Sequence, residues 1–457
     1  MKDIENKTFY KKRFSPLLII VLGYFTAIFW GAFLILLPIS NADGQWLNIL
    51  DALFTATSAI CTTGLSTVNV TLTFSLFGQI VILILIQIGG LGIMGLASML
   101  FLTIRKKLTL SNRLIIQQTV GEMPSYKIAS YLRYMLAATL IIEFLGAVAL
   151  MPAFIKTYGA IGVFKAFFIS ISAFCNAGLD VLSYQEASLI GFSANVSVIL
   201  SVGFLIILGG IGFWVIMDIA KAKKFNRLML HTKIVLIATA VLIGGGAIIY
   251  LIAEWNNPLT LGGMNVGQKI LNAFFMAITP RTAGFNNVEL NNMTEFSKLF
   301  TMLLMFIGAS PASTGGGIKT TTAAVLLLII ISGFKSKDRV IVNKRYINTR
   351  ITLKAAAVAG AFCILTILIT MALLITENGL NQNLYNLETI LFESISALDT
   401  VGLSLGITPH LSIGGKIIIM LAMFIGRLGP LTVGLLFLKN IKAEDKLRYP
   451  EAMVMIG

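Results

Sequence analysis

The sequence predicts an all-α polytopic membrane protein built from four similar repeats. Three observations lead to this fold class. Hydrophobic residues fill 57% of the 457 positions and charged residues only 12%, whereas soluble domains are about a quarter charged. Eight apolar segments are long enough to cross a bilayer, which takes about 20 residues. One short glycine motif recurs four times between these segments.

The predicted spans are continuous apolar stretches, with one exception. They cover 17–39, 77–103, 131–152, 195–219, 231–252, 297–334, 353–375 and 411–438. The sixth is interrupted by GASPASTGGGIKTTT (308–322), which contains one Pro and several Gly and is a poor helix in any setting.

Between the two spans of each pair lies a shorter amphipathic stretch of 14–16 residues, too short to cross. The four stretches are 46–61, 160–175, 266–279 and 386–399. A single stretch of this kind is most simply a surface helix. Four in equivalent positions favour re-entrant half-helices.

A turn with a shared pattern follows each half-helix: Thr or Asn, any residue, Gly, then Leu or Phe. The turns read CTTGLS (61–66), CNAGLD (175–180), RTAGFN (281–286) and DTVGLS (399–404). A second glycine cluster follows each turn, at 87–92, 207–212, 306–311 and 424–429. One such match is weak evidence, but four in the same context indicate an internal repeat.

The repeats define the organisation of the chain. We expect a cytoplasmic N-terminus at 1–16, repeats at 17–104, 131–220, 231–334 and 351–438, and a cytoplasmic C-terminal tail at 439–457.

Charge predicts the orientation. If the glycine turns face outward, the inner segments hold 27 Lys and Arg and the outer segments 6, as the positive-inside rule requires. Both termini are then cytoplasmic, in a multi-pass protein of the plasma membrane. The net charge of +15 therefore reports topology in the lipid bilayer, and no nucleic acid is expected as a partner.

The outer segments carry 11 Asp and Glu. For most of them, simple solvation is the preferred interpretation. Asp180 and Asp399 flank glycine turns and are candidates for a role at a pore mouth.

Four half-helices that end at glycine turns are typical of an ion path. The C-terminal end of a helix favours a cation, and irregular backbone at membrane depth must be buried in protein or line a water-filled cavity. Four sets of carbonyl oxygens around one axis can replace the water shell of an ion. We therefore predict one central ion pore with a filter made of Thr62, Thr63, Gly64, Asn176, Ala177, Gly178, Thr282, Ala283, Gly284, Thr400, Val401 and Gly402.

A gate is predicted below this filter. Arg427 lies within an apolar span, where an ionisable residue is costly; it is either a positive barrier in the pore or a tie to backbone carbonyls. The 308–322 segment is either a movable constriction or a rigid kink. The gate candidates are Gly308, Ser310, Ser313, Thr314, Gly315, Gly316, Gly317, Lys319 and Arg427. Glu143, also within a span, is either a partner in a helix–helix hydrogen bond or a functional acid.

Other functions are disfavoured. Three Cys and two His lie far apart, which argues against a disulfide framework, a metal centre and a covalent cofactor. An enzyme is not expected, because no paired intramembrane carboxylates and no nucleophile with a base are evident. A secondary transporter with broken helices is the alternative, but such proteins usually pair inverted repeats, and these four run in the same direction.

Together, the four repeats, the broken second helix of the third repeat and the Arg of the last helix resemble the Trk/Ktr/HKT potassium transporters. The resemblance spans about 17–438, and the eight spans are most similar to the bacterial Ktr-type membrane subunit. It implies filter glycines at Gly64, Gly178, Gly284 and Gly402, a gating loop at 308–322 and a gate Arg at Arg427. Plant relatives that prefer sodium have Ser at the first filter glycine, so Gly64 implies potassium as the filter ion.

The resemblance also implies a homodimer on a cytosolic ring of Rossmann-like, RCK-type regulatory subunits. This chain has no GxGxxG fingerprint after a strand, so ATP or ADP would bind only to the partner subunit. Whether sodium activates transport, or is coupled to it, stays open at this stage.

Overall fold

The structure is a computed structural model of the chain. It describes residues 16–92, 128–182, 188–335, 340–342, 345–378 and 385–430. The predicted cytoplasmic ends, apart from residue 16, and the second half of the span at 77–103 lie outside the described residues.

The first repeat consists of a long helix, a short helix and a second longer helix. These are α1 (Pro16–Leu36), α2 (Ile49–Cys61) and α4 (Leu76–Leu91), with the single turn α3 (Val70–Thr73) before α4. Asn48 caps α2 by accepting a hydrogen bond from the Leu50 amide, which explains why this helix begins after the Gly-Gln-Trp segment.

The second repeat follows the same order but has a bent second helix. It contains α5 (Ile128–Tyr158), α6 (Ile161–Phe174), α7 (Val196–Ile211) and α8 (Phe213–Ala222). The axes of α7 and α8 differ by 94°. The span predicted at 195–219 therefore contains a bend that its sequence did not indicate. Gly212 lies at the bend with φ +91°, a conformation that favours glycine.

The third repeat has the predicted interruption. It contains α9 (Leu230–Glu254), α10 (Val266–Ile278), α11 (Glu295–Phe306) and α12 (Thr320–Phe334). The chain between α11 and α12 is non-helical. After α12, the strands β1 (Ile341–Val342) and β2 (Arg345–Tyr346) pair antiparallel, with Ile341 opposite Tyr346.

The fourth repeat contains α13 (Thr349–Thr376), α14 (Leu387–Leu398) and α15 (Ile413–Leu428). α15 ends at Gly429, which has φ +85°, and α4 of the first repeat ends at Gly92, with φ +76°. Together with Gly212, these residues show that the second glycine cluster of each of these three repeats ends a helix, so interruption is not confined to the third repeat.

The short helices lie inside and the long ones outside. Nine of the 13 residues of α2 and nine of the 14 residues of α6 are buried, whereas α1, α5, α9 and α13 present many large apolar residues at the surface. By length and composition, four described helices can cross a membrane, and the bent pair α7–α8 makes a fifth. The number of eight spans stays a prediction, as does the re-entrant character of the four short helices.

Candidate functional site

The four short helices α2, α6, α10 and α14 each lead into one of the predicted filter turns. The first residue of each turn has a positive φ: 51° at Thr62, 53° at Asn176, 69° at Thr282 and 52° at Thr400. A β-branched residue rarely adopts this conformation. Strain of this kind is maintained by its surroundings and tends to occur at functional sites.

The glycines of the four turns meet in a closed ring. A Cβ atom added to Gly64 would lie 2.8 Å from the carbonyl oxygen of Ala177, and one added to Gly178 would lie 2.8 Å from that of Ala283. The third and fourth contacts continue in the same direction. A Cβ on Gly284 would lie 2.6 Å from the Val401 oxygen.

The ring closes at the last contact, because a Cβ on Gly402 would lie 2.1 Å from the Thr63 oxygen. Each filter glycine therefore lies against the carbonyl group that precedes the glycine of the next repeat, and only the absence of side chains allows this approach. All twelve predicted filter residues belong to these four turns.

A row of hydroxyl groups supports the ring from the short helices. Ser58 Oγ accepts a hydrogen bond from the Gly64 amide at 3.0 Å, and Ser396 Oγ accepts one from the Gly402 amide at 3.1 Å. Ser172 Oγ donates to the Leu179 carbonyl, and Thr279 Oγ1 donates to that of Phe285, each at 2.6 Å.

Sequence reasoning missed these hydroxyl residues. The available signal was a Ser six residues before Gly64, Gly178 and Gly402 and a Thr five before Gly284. Each is fully or almost fully buried, where a polar side chain requires a partner.

The side chains expected to supply extra oxygens differ in their surroundings. Among the described residues, the buried polar atoms of Asn176, Thr282 Oγ1 and Thr400 Oγ1 have no hydrogen-bond partner. Thr62 Oγ1 instead donates to the Cys61 carbonyl at 2.7 Å and approaches the Thr314 carbonyl at 3.4 Å. Within the described part of the chain, three turns thus keep side-chain oxygens without a hydrogen-bond partner, while the Thr62 hydroxyl of the first turn is hydrogen-bonded.

That loop, from Gly308 to Lys319, lies directly against the predicted filter turns. A Cβ on Gly315 would lie 2.0 Å from Thr282 Oγ1, and one on Gly316 would lie 2.1 Å from Thr400 Oγ1. Three consecutive glycines therefore let the backbone pack under two turns. The loop also packs on itself, since a Cβ on Gly308 would lie 2.6 Å from the Gly316 oxygen.

The second repeat anchors the other end of the loop. The Ser310 amide donates to the Gly210 carbonyl at 2.9 Å, and Thr314 Oγ1 donates to the Phe174 carbonyl at 3.1 Å. Within the loop, Ser313 Oγ donates to the Ser310 carbonyl at 2.6 Å. The bend at Gly212 makes room for this contact, because a Cβ there would lie 2.5 Å from the Pro311 oxygen.

Two cations tie the loop in place. Arg427 donates to the Thr314 carbonyl of the loop and to the Gly89 carbonyl of the first repeat. Lys319 Nζ donates to the Gly315 carbonyl at 2.7 Å and lies 3.3 Å from the Gly316 oxygen. The structure therefore contains the tie to backbone carbonyls that was one interpretation of Arg427, and that tie holds the loop.

Several outer acids are buried, so the interpretation that most of them are simply solvated is wrong for these residues. Glu254 accepts hydrogen bonds from the amide and hydroxyl of Thr294, which caps α11. Glu377 accepts the equivalent pair from Ser412, which caps α15. In both cases the acid at the end of the first helix stabilises the start of the second.

Glu393 and Asp399 are also buried, at 0% exposure. Glu393 accepts hydrogen bonds from the hydroxyl groups of Ser404 and Thr408, which follow Gly402. Asp399 faces Gly317, whose added Cβ would lie 3.0 Å from Asp399 Oδ1. It therefore lies on the loop side of the ring, and the expectation that it faces an outer mouth is wrong.

Asp180 lies on the opposite side of the ring, beyond Gly178, and is half-buried. Its carboxylate accepts a hydrogen bond from the Leu182 amide at 3.2 Å. Burial raises the pKa of Asp180 to about 6, against the opposing effects of the Leu182 hydrogen bond and the Lys165 charge. This carboxylate is the candidate for a charge at the mouth.

Glu143 forms a hydrogen bond between helices, with a partner that could not be identified from the sequence. Gln87 Nε2 donates to Glu143 Oε2 at 3.2 Å, and the Cys175 thiol lies 3.8 Å from Glu143 Oε1. These contacts join the first and second repeats next to the end of α6, consistent with the structural interpretation of this residue.

Comparison with known proteins gives three further findings. The profile of the family described as TrkH, cation transport protein, matches residues 24–448. Ktr system potassium uptake protein B from Bacillus subtilis is 39% identical over 446 residues, covering 97% of each chain. Potassium/sodium uptake protein NtpJ from Enterococcus hirae is 38% identical over 449 residues, covering 98% of each chain.

A solved structure shares the fold. The crystal structure of the potassium transporter TrkH from Vibrio parahaemolyticus matches with a TM-score of 0.73 at 19% identity, over 94% of this chain and 86% of that one. This similarity supports a polytopic membrane fold.

Proposed function

The chain belongs to the TrkH family of cation transport proteins, and from this premise we propose that it conducts potassium ions inward across the plasma membrane as the ion-translocating subunit of a Ktr-type uptake system. The observation that carries this proposal is the closed ring of Gly64, Gly178, Gly284 and Gly402. One chain supplies all four turns, so one chain forms one pore.

Potassium selectivity is proposed to reside in this ring. The twelve residues of the four turns offer backbone carbonyls, and carbonyl dipoles can replace the hydration shell of potassium. The ends of four short helices point at the ring and add partial negative charge. All four turns retain Gly, which supports potassium over sodium, in line with the resemblance to potassium-selective relatives.

The loop from Gly308 to Lys319 and Arg427 are proposed to form the gate. Gly315 and Gly316 pack under Thr282 and Thr400, so the loop closes the path on the inner side of the filter. Arg427 keeps the loop there through Thr314. Opening then requires that these contacts break and that the loop moves aside.

We further propose a homodimer that binds a cytosolic ring of RCK-type subunits, on which ATP or ADP binds. The name of the Bacillus subtilis relative, which assigns it to a Ktr system, supports a multi-subunit assembly. Both termini are proposed to be cytoplasmic, where basic segments predominate.

Reconstitution tests the proposal. Purified protein in proteoliposomes should take up rubidium, a potassium analogue, down an imposed electrical gradient, and potassium should compete better than sodium. Arg427→Ala, or a shortened 308–322 loop, should raise the uptake rate. If the Arg427→Ala variant is folded and reconstituted but takes up no cation, the proposal is contradicted.

A sodium-coupled secondary transporter is the second candidate. It is favoured by one observation, the potassium/sodium name of the NtpJ relative. An inward sodium gradient at zero membrane potential distinguishes the coupled transporter from the channel-like protein. Such a gradient accumulates potassium in a coupled transporter, whereas in a channel-like protein it leaves potassium at equilibrium.

A further inference from the structure

A groove outside the pore lies between the third and fourth repeats. It has a volume of about 360 Å³ and is bounded by the first turns of α9, α12 and α13. Its wall is largely apolar and consists of Leu230, Ile234, Val325, Ile347, Ile351, Ala355 and Val358. The filter and the gate do not use this groove.

Lys354 and His231 are the basic-type side chains that line the groove. Lys354 is exposed and His231 is half-buried. No described acidic side chain forms an ion pair with Lys354. Lys354 belongs to the segment 335–354, which holds seven Lys and Arg and is predicted to lie on the cytoplasmic side.

The apolar surface around the groove indicates which phase it meets. Leu327 is 59% exposed, Leu353 67% and Ile351 55%. Large apolar residues with this exposure on a membrane protein face hydrocarbon. An apolar groove that opens beside them, with the cation Lys354 in its wall, matches a phospholipid in both hydrophobicity and charge.

We propose that this groove binds one anionic phospholipid of the inner leaflet. An acyl chain lies along Ile234, Val325 and Val358, and the phosphate is next to Lys354. Zwitterionic lipids fit the apolar wall equally well, so the selectivity for an anionic headgroup comes from Lys354.

The groove adjoins the gate loop. Thr321, Thr322 and Val325 of the groove belong to the first turns of α12. The residue before them, Thr320, shares a hydrogen bond of 2.8 Å with Ser310 of the loop. The lipid therefore contacts the helix that directly continues the loop.

The test uses the reconstituted full chain and spin-labelled lipids, read by electron paramagnetic resonance as the fraction of motionally restricted lipid. The wild-type protein should restrict labelled phosphatidylglycerol in preference to labelled phosphatidylcholine. Lys354→Gln should weaken phosphatidylglycerol binding about fivefold, as expected for loss of one juxtamembrane cation. Lys221→Gln, an exposed Lys that does not line the groove, is the matched control and should bind like wild type.

Two further arms keep the proposal falsifiable. Ala355→Phe should fill the groove and reduce restriction of both lipids, and inorganic phosphate should not displace the labelled lipid. Equal phosphatidylglycerol preference in wild type and Lys354→Gln would overturn the proposal, as would displacement by inorganic phosphate, which would indicate a site for free anions. The readout does not use ion flux, so its failure is distinct from failure of the proposed transport function.

Discussion

Gly402 is the filter position at which a side chain should do the most damage. Its φ is +92°, and an added Cβ would lie 2.1 Å from the Thr63 carbonyl oxygen. The corresponding distances at the other three glycines are 2.6 to 2.8 Å. Gly402→Ala should therefore disturb the ring more than the same change at Gly64 or Gly178.

Two effects contribute to the magnitude. An L-residue in the left-handed region costs about 1–2 kcal/mol. In addition, the Thr63 oxygen must retreat by about 0.9 Å before the contact reaches the 3.0 Å below which Cβ contacts essentially do not occur. Since Thr63 contributes one side of the ring, we expect the potassium-over-sodium ratio to fall at least about tenfold, which corresponds to about 1.4 kcal/mol.

Gly406 supplies the control, because it separates backbone strain from contact with the ring. It has φ +86° in the same loop, and the nearest atom to an added Cβ is 3.7 Å away. Gly406→Ala should cost only the backbone part of the stability in thermal unfolding and leave selectivity unchanged. Competition of potassium and sodium against rubidium uptake measures the ratio. An unchanged ratio in folded Gly402→Ala, or an equal loss in Gly406→Ala, would refute the filter assignment.

Three further changes test the gate and the surroundings of the ring. Arg427→Gln removes hydrogen bonds from a charged donor, each worth about 1.5–3 kcal/mol. Rubidium uptake should therefore rise at least tenfold, and an unchanged uptake rate would exclude a role of Arg427 in closing the proposed gate. Glu393→Ala leaves the hydroxyls of Ser404 and Thr408 without their acceptor and should lower both the melting temperature and the potassium-over-sodium ratio. Glu393→Gln should lower each by less, and equal effects of the two variants would count against a positioning role of Glu393. Because the pKa of Asp180 is raised to about 6, its charge is present above that pH and is lost as the external pH falls through it. Rubidium uptake should therefore decline over this pH range in wild type and stay constant in Asp180→Asn. Parallel pH profiles of the two proteins would exclude a role of Asp180 at the mouth.

The four turns could be predicted because their signal is local and repeated. The sequence around Gly64 recurs at intervals of 106 to 118 residues. Each copy shows the same pattern of a short amphipathic stretch followed by Thr or Asn and then Gly. The direction of the ring, in which each glycine packs on the next repeat, is a non-local contact. No single repeat contains that information.

The buried acids could not be identified for the same reason. Glu254 and Thr294 are 40 residues apart, and Glu377 and Ser412 are 35 apart. An acid after a span looks solvated unless the cap of the next helix is known to lie beside it. The 94° bend at Gly212 also escaped prediction, because ILGGIG is apolar and continues a span by composition alone.

The loop contacts indicate how one repeat would gate the proposed pore that four repeats build. The second helices of the first, second and fourth repeats end at Gly92, Gly212 and Gly429, each with positive φ, so these three repeats share a helix end at this level. In the third repeat a loop separates α11 from α12, and this loop is hydrogen-bonded to the other three repeats. The Ser310 amide donates to the Gly210 carbonyl, and Arg427 donates to the carbonyls of both Thr314 and Gly89. Movement of any of these contacts therefore affects the same loop. A regulatory subunit of the proposed kind that shifts one of these helices would act on the proposed gate without contacting it.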